Sequence, residues 1–87
     1  MTVTREELID GLASQLGLQP LTQTEIESVL ALAAAAAHGT GDRTSAPLVS
    51  FLAGIAAAGN KDRVDVLDRA RRRTGAITGP HGESGAY

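Results

Sequence analysis

The sequence predicts an all-α fold, a compact bundle of four short helices with a disordered C-terminal tail. Three observations predict it. Threonine–glutamate pairs at capping-box spacing open segments, apolar residues recur every three or four positions, and glycine or proline separates the segments. No stretch shows the strict apolar/polar alternation of a half-buried strand.

The first helix is expected from about Arg5 to Leu16. Thr4 and Glu7 have the spacing that satisfies two orphan amides at a helix start. Leu8, Ile9, Leu12, Ala13 and Leu16 then form one apolar stripe, and Gly17 supplies a left-handed stop. Gly11 falls on the polar side and weakens this helix by about 1 kcal/mol against alanine. After the linker Leu18-Gln19-Pro20-Leu21, the pairs Thr22/Glu25 and Thr24/Glu27 both fit the start of a second helix. It is expected to run through Ile26, Val29, Leu30 and Ala33 to Ala37, and to be central, because alanine lets neighbouring backbones come close. The third is expected at Ala46 or Pro47 with Ser45 as its cap, since proline is preorganised for a first turn. Leu48, Phe51, Leu52, Ile55 and Ala56 would be its buried stripe and Gly59 its end. The fourth should begin between Asn60 and Asp62 and run to about Arg73, with Val64, Leu67, Ala70 and Thr74 on one side. Its last turn is loaded with arginine, which complements the helix dipole. From Gly75 to Tyr87, glycine, proline, serine and isolated charges predict a flexible tail beyond a single domain of residues 1–74.

The chain has 87 residues, enough for one small domain, and no cysteine, so disulfides and thiolate metal sites are excluded. A net charge of −2 argues against a general nucleic-acid binder. No apolar run approaches the roughly 20 residues that cross a bilayer, and the polar, acidic start is unlike a signal peptide. A cytoplasmic protein is expected. The core is lean, built of Leu, Ile, Val and much alanine, so the chain should be marginally stable alone or supported by self-association or a partner.

The loop between the second and third helices carries the best-placed polar side chains. Gly39-Thr40-Gly41-Asp42-Arg43-Thr44-Ser45 precedes a helix start, where backbone amides and the dipole favour an anion. His38, Arg43, Thr44, Ser45 and Pro47 are the candidate ligand- or partner-binding residues. The plainer structural account is that His38 and Gly39 close one helix and Ser45 caps the next. The loop is not a nucleotide-binding P-loop, which needs a preceding strand and a lysine before the Ser/Thr. His38 and His81 are the two histidines; His38 lacks a second ligand at helical spacing and His81 falls in the expected tail, so no metal is expected. Carboxylates in first turns, Glu6, Glu7, Glu25 and Glu27, read as capping and dipole residues without an apolar wall, and no catalytic constellation emerges. The run Arg71-Arg72-Arg73 shares its helix with Asp62, Asp65 and Asp68. Asp65/Arg69 and Asp68/Arg72 are four apart, which predicts a solvated, internally paired face.

At His38-Gly39, Ala46-Pro47-Leu48 and Phe51-Leu52-Ala53-Gly54, the chain resembles a small bacterial helical domain of unknown function associated with, or fused to, the molybdenum cofactor guanylyltransferase. The resemblance extends over Leu8–Leu18 and Ile26–His38, roughly from Glu6 to Arg73. Arg43-Thr44-Ser45 departs from the Arg-Pro pair expected before the Ala-Pro-Leu element. The resemblance implies no guanylyltransferase here. It implies a non-catalytic accessory module without a cofactor, whose protein partner is that guanylyltransferase or a molybdoenzyme maturation factor. It carries over His38, Arg43, Ser45 and Pro47 as a surface with Phe51 anchoring the helix behind. Two alternatives stand beside it: a small anion- or nucleotide-binding module using the 38–47 loop, and a helical homo-oligomer joined along the alanine face of the second helix.

Overall fold

A computed structural model describes residues 2–84, with side chains for residues 2–79. Four helices follow one another: α1 (Arg5–Gln15), α2 (Gln23–Thr40), α3 (Ser45–Ala57) and α4 (Arg63–Ser84), with no strand among the described residues. The molecule is a slab of 41 × 35 × 18 Å, about two helix diameters thick. α2 is central, as its alanines predict. It packs most extensively along α4 and next along α3.

Local chemistry sets the helix starts. The Thr4 hydroxyl accepts from the Glu7 amide and the Glu7 carboxylate accepts from the Thr4 amide, at 3.0 and 2.9 Å. The Thr22/Glu25 pair closes the same box on α2. At α4, the Asp62 carboxylate accepts from the Asp65 amide at 2.9 Å. Each such bond satisfies a donor that the helix itself leaves unpaired.

Two helix ends differ from expectation. α2 does not stop before Gly39. The Thr40 hydroxyl donates to the Ala36 carbonyl at 2.8 Å, and the left-handed residue that ends the helix is Gly41, with φ 71°. Gly39 instead serves close packing, since a Cβ there would lie 2.5 Å from Thr78 Oγ1. That contact also bears on α4, which continues past the expected end near Arg73 to Ser84. Thr78 donates to the Thr74 carbonyl at 2.9 Å and presses on the bare backbone of α2. Tertiary packing thus overrides the weak helix propensity of Gly75 and Gly79. Residues 85–87 of the expected tail, and the side chain of His81, lie outside what is described.

The core is small. Leu32 is the one large side chain wholly removed from water, and it clusters with Ala53 and Leu67, bordered by Val29, Val49 and Ala70. Ala36, Ala57 and Val66 complete the buried set around it, and Ala13 is the buried residue of α1. The predicted inward stripe of α3 is therefore corrected. Leu48, Phe51, Leu52 and Ile55 face out, Phe51 at 70% exposure, while Ala53 and Ala57 face in. The reason is geometric. Small side chains let α3 approach the wide body of Leu32 closely, and a helix cannot bury both faces against one neighbour. Leu8, Leu12 and Leu16 of α1 are likewise exposed, leaving Ala13 inside with Ile9 half-buried.

Candidate interaction surface

The loop from His38 to Pro47 is held by its own side chains. Thr40 and Ser45 share a hydroxyl–hydroxyl bond of 2.9 Å across the turn. Asp42 receives both the amide and the hydroxyl of Thr44, at 2.9 and 2.7 Å, and the hydroxyl bond is the main reason its carboxyl is held below the ordinary range. The Ser45 amide donates to the Asp42 carbonyl and the Ala46 amide to the Arg43 carbonyl. Pro47 has no amide to offer. The amides of Thr44, Ser45 and Ala46 are thus engaged within the loop, and Asp42 sits on Thr44 where an incoming anion would bind.

Of the five candidate residues, Thr44 and Ser45 lie in this hydrogen-bonded turn, Ser45 as the first residue of α3 rather than its cap. The cap position falls on Thr44, whose side chain makes no capping bond, because it is committed to Asp42. Arg43 is exposed in the loop and Pro47 is exposed in the first turn of α3. His38 is an exposed residue of the last turn of α2, where a basic side chain suits the helix dipole.

Sequence reasoning missed the larger feature beside this loop. Leu48, Phe51, Leu52 and Ile55 form one exposed apolar face along α3. The helix carries no charged residue from Ser45 to Ala57, so nothing on its own surface interrupts that face. The available signal lay on the far side of the helix: Ala53 and Ala57, four residues apart, offer a small-residue alternative inner face.

A second missed feature is Glu25. It caps α2 as expected, but it is buried to 7% exposure beside apolar side chains, where no apolar wall was expected. One carboxylate oxygen accepts from the Thr22 amide at 2.8 Å and the other meets the Arg63 guanidinium at 2.6 Å. The pair lines an open groove of about 290 Å³ whose apolar wall includes Leu18, Leu21, Val29 and Leu67. Both oxygens are engaged, so the arrangement ties α2 to α4 rather than presenting a reactive acid. On α4, Asp65 and Arg69 pair at 3.1 Å, as their spacing predicts.

Residues 2–84 match the model of a family described as a domain of unknown function, DUF6457. The chain belongs to that family. No curated protein and no solved structure matches it. Among the described residues, no helix of this DUF6457 domain is long and apolar enough to cross a membrane, and no group of three His, Cys, Asp or Glu is placed to hold a metal ion.

Proposed function

We propose that this DUF6457 domain is a non-catalytic protein-interaction module that docks a partner through α3 and the adjoining 38–47 loop. The observation that carries this reading is the exposed face Leu48–Phe51–Leu52–Ile55. Aromatic and aliphatic anchors of this kind, ringed by polar groups, are what protein interfaces bury at their centres. His38, Arg43 and Thr44 then form part of the polar rim, and Pro47 and Ser45 join rim to face. The Ala-His, Ala-Pro-Leu and Phe-Leu elements sit in or beside this surface, and their resemblance to the bacterial domain supports a cytoplasmic role in molybdenum cofactor maturation. The partner on that reading is the guanylyltransferase or a molybdoenzyme maturation factor.

The anion-binding alternative has less support, because the loop amides and the Thr44 hydroxyl are already engaged by Asp42 and neighbouring carbonyls. The test is a binding titration of the purified domain against the guanylyltransferase and against a maturation factor from the native host. Saturable binding that is lost in Phe51→Asp is expected. Absence of binding to either protein, or binding that Phe51→Asp leaves intact, overturns the proposal.

A further inference from the structure

The structure removes both of the ordinary reasons for the arginines of α4. Arginine in a last turn complements the helix dipole, an effect confined to that turn. α4 runs on to Ser84, about three turns beyond Arg73, so these side chains stand mid-helix. Pairing with aspartates of the same helix is the second reason, and it is only half met. Asp65 holds Arg69, but among the described residues no carboxylate forms an ion pair with Arg71, Arg72 or Arg73. Asp68, four residues before Arg72, is half-buried and does not pair with it.

Three of these cations share one concavity. Arg69, Arg72 and Arg73 line a hollow of about 300 Å³ whose remaining wall is Ala76. Arg69 commits its Nε to Asp65 at 3.1 Å and keeps its terminal amino groups for a second acceptor. Among the described residues, the guanidiniums of Arg72 and Arg73 have no carboxylate at all, and all three arginines are exposed. Each guanidinium is a planar fork that matches the paired oxygens of a carboxylate or phosphate. A concentrated positive face thus stands on a chain whose net charge is −2. That charge fixes the sign of the occupant.

We propose that the hollow between Arg69, Arg72 and Arg73 is a docking site for a short acidic protein segment. Arg69 and Arg73 lie one turn apart, about 6 Å along the axis, which is the spacing of carboxylates one turn apart on a partner helix. Ile77, one turn further on and 81% exposed, offers that segment an apolar contact. On the other side Asp65 ends the positive stretch, so the site suits two or three carboxylates rather than a long polyanion. Nucleic acid fits less well, because the chain is acidic overall and α4 carries no Phe, Tyr or Trp on which a base could stack. A lipid surface fits less well too, because Ile77 is the one large apolar residue beside the arginines. The site shares no residue with the α3 face and does not depend on it.

Fluorescence anisotropy with a short labelled polyglutamate peptide tests the site on the intact chain. Saturable binding is expected at low ionic strength, weakening as salt shortens the Debye length. Arg73→Ala should reduce affinity about tenfold, the loss of one charge-assisted hydrogen bond. Arg71→Ala removes the same charge from the same helix but outside the hollow, and should reduce it less than about twofold. Arg73→Lys, which keeps the charge without the fork, should fall between wild type and Arg73→Ala. These positions are exposed, so circular dichroism should show unchanged helicity. Equal losses from Arg71→Ala and Arg73→Ala would mean that net charge alone holds the probe, and would overturn the site. Absence of binding at low salt would do the same. Tighter binding of a DNA oligonucleotide or of phosphatidylserine vesicles than of polyglutamate, at equal charge, would overturn the choice of occupant. Phe51→Asp should leave polyglutamate binding intact, so failure of this site and failure of the α3 reading are told apart.

Discussion

α2 and α3 are both rich in alanine and leucine, yet they use those residues in opposite ways. α2 lies against both α3 and α4 and buries its largest inward side chain, Leu32, completely. α3 turns two alanines inward and holds every one of its large side chains except the half-buried Val49 in solvent. The lesson concerns what an apolar stripe means. Periodicity reports that a helix has an apolar side, but a neighbour can prefer the small side if one broad side chain, here Leu32, fills the space between backbones. The large side is then left for something outside the monomer.

The largest expected effect separates the two helices by substitution of like residues. Leu32→Ala should cost about 2–5 kcal/mol of stability, the range for a large aliphatic side chain deleted from a packed interior. Leu52→Ala, read in urea denaturation, should change stability by less than about 0.5 kcal/mol, as surface substitutions do. Comparable losses from both would mean that the large face of α3 is packed inside and would remove the contrast.

The helix starts sharpen the same comparison. α2 is fixed at its first turn by Glu25, which is bonded at once to Thr22 and to Arg63, whereas the cap position of α3, Thr44, makes no capping bond. Glu25→Ala should cost about 1–3 kcal/mol, by loss of the cap and of the half-buried ion pair with Arg63. Glu25→Gln, which keeps an acceptor for the Thr22 amide, should recover part of that. Thr44→Ala should cost less than Glu25→Ala, since no capping bond is lost. Equal stability of wild type and Glu25→Ala in thermal unfolding would show that the buried pair contributes nothing to holding α2.

How far these features were legible follows from their range along the chain. The boxes at Thr4/Glu7 and Thr22/Glu25 depend on residues three apart, and both were readable. So were the central place of α2, the Asp65–Arg69 pair and the turn at Gly59. The inner face of α3 was not, because α2 and α4 decide it. Glu25 read as an ordinary cap, since its second partner, Arg63, lies on a distant helix and only the fold brings them together. In the candidate site, the loop residues were found but their commitments were not. Asp42 occupies the Thr44 donors that composition alone offers to a ligand. Gly39 looked like a stop after Ala-His, and only the position of Thr78 reveals that it is a packing residue.

That glycine gives the next contrast. An added Cβ at Gly39 would lie 2.5, 2.8 and 3.0 Å from Thr78 Oγ1, Cβ and Cγ2, so the two helices must separate to admit it. Gly39→Ala should therefore destabilise by about 1–3 kcal/mol despite the better helix propensity of alanine. Thr78→Gly removes all three atoms, so the double variant should be less destabilised than the sum of the two single changes. A double-mutant cycle in denaturant measures that coupling, and additivity within about 0.3–0.5 kcal/mol would mean that α4 is not docked on α2 at this point.

Gly54 is the corresponding residue of α3, and nothing lies within 4 Å of a Cβ built there. The same substitution should have the opposite sign. Gly54→Ala lowers the backbone entropy of the unfolded chain and meets no neighbour, so it should stabilise the monomer by up to about 1 kcal/mol. Gly54 lies to the side of the Leu48–Ile55 stripe, about a quarter turn or more around the helix, so partner binding through that stripe should hardly change. If Gly54→Ala instead destabilised the fold, α3 would have to lie closer to a neighbouring element on that side than the open groove allows. If it weakened partner binding, the docking surface would extend round to Gly54. The pair of glycine substitutions thus tests the contrast between the two helices at its most economical point, one methyl group on each, with opposite outcomes expected from identical chemistry.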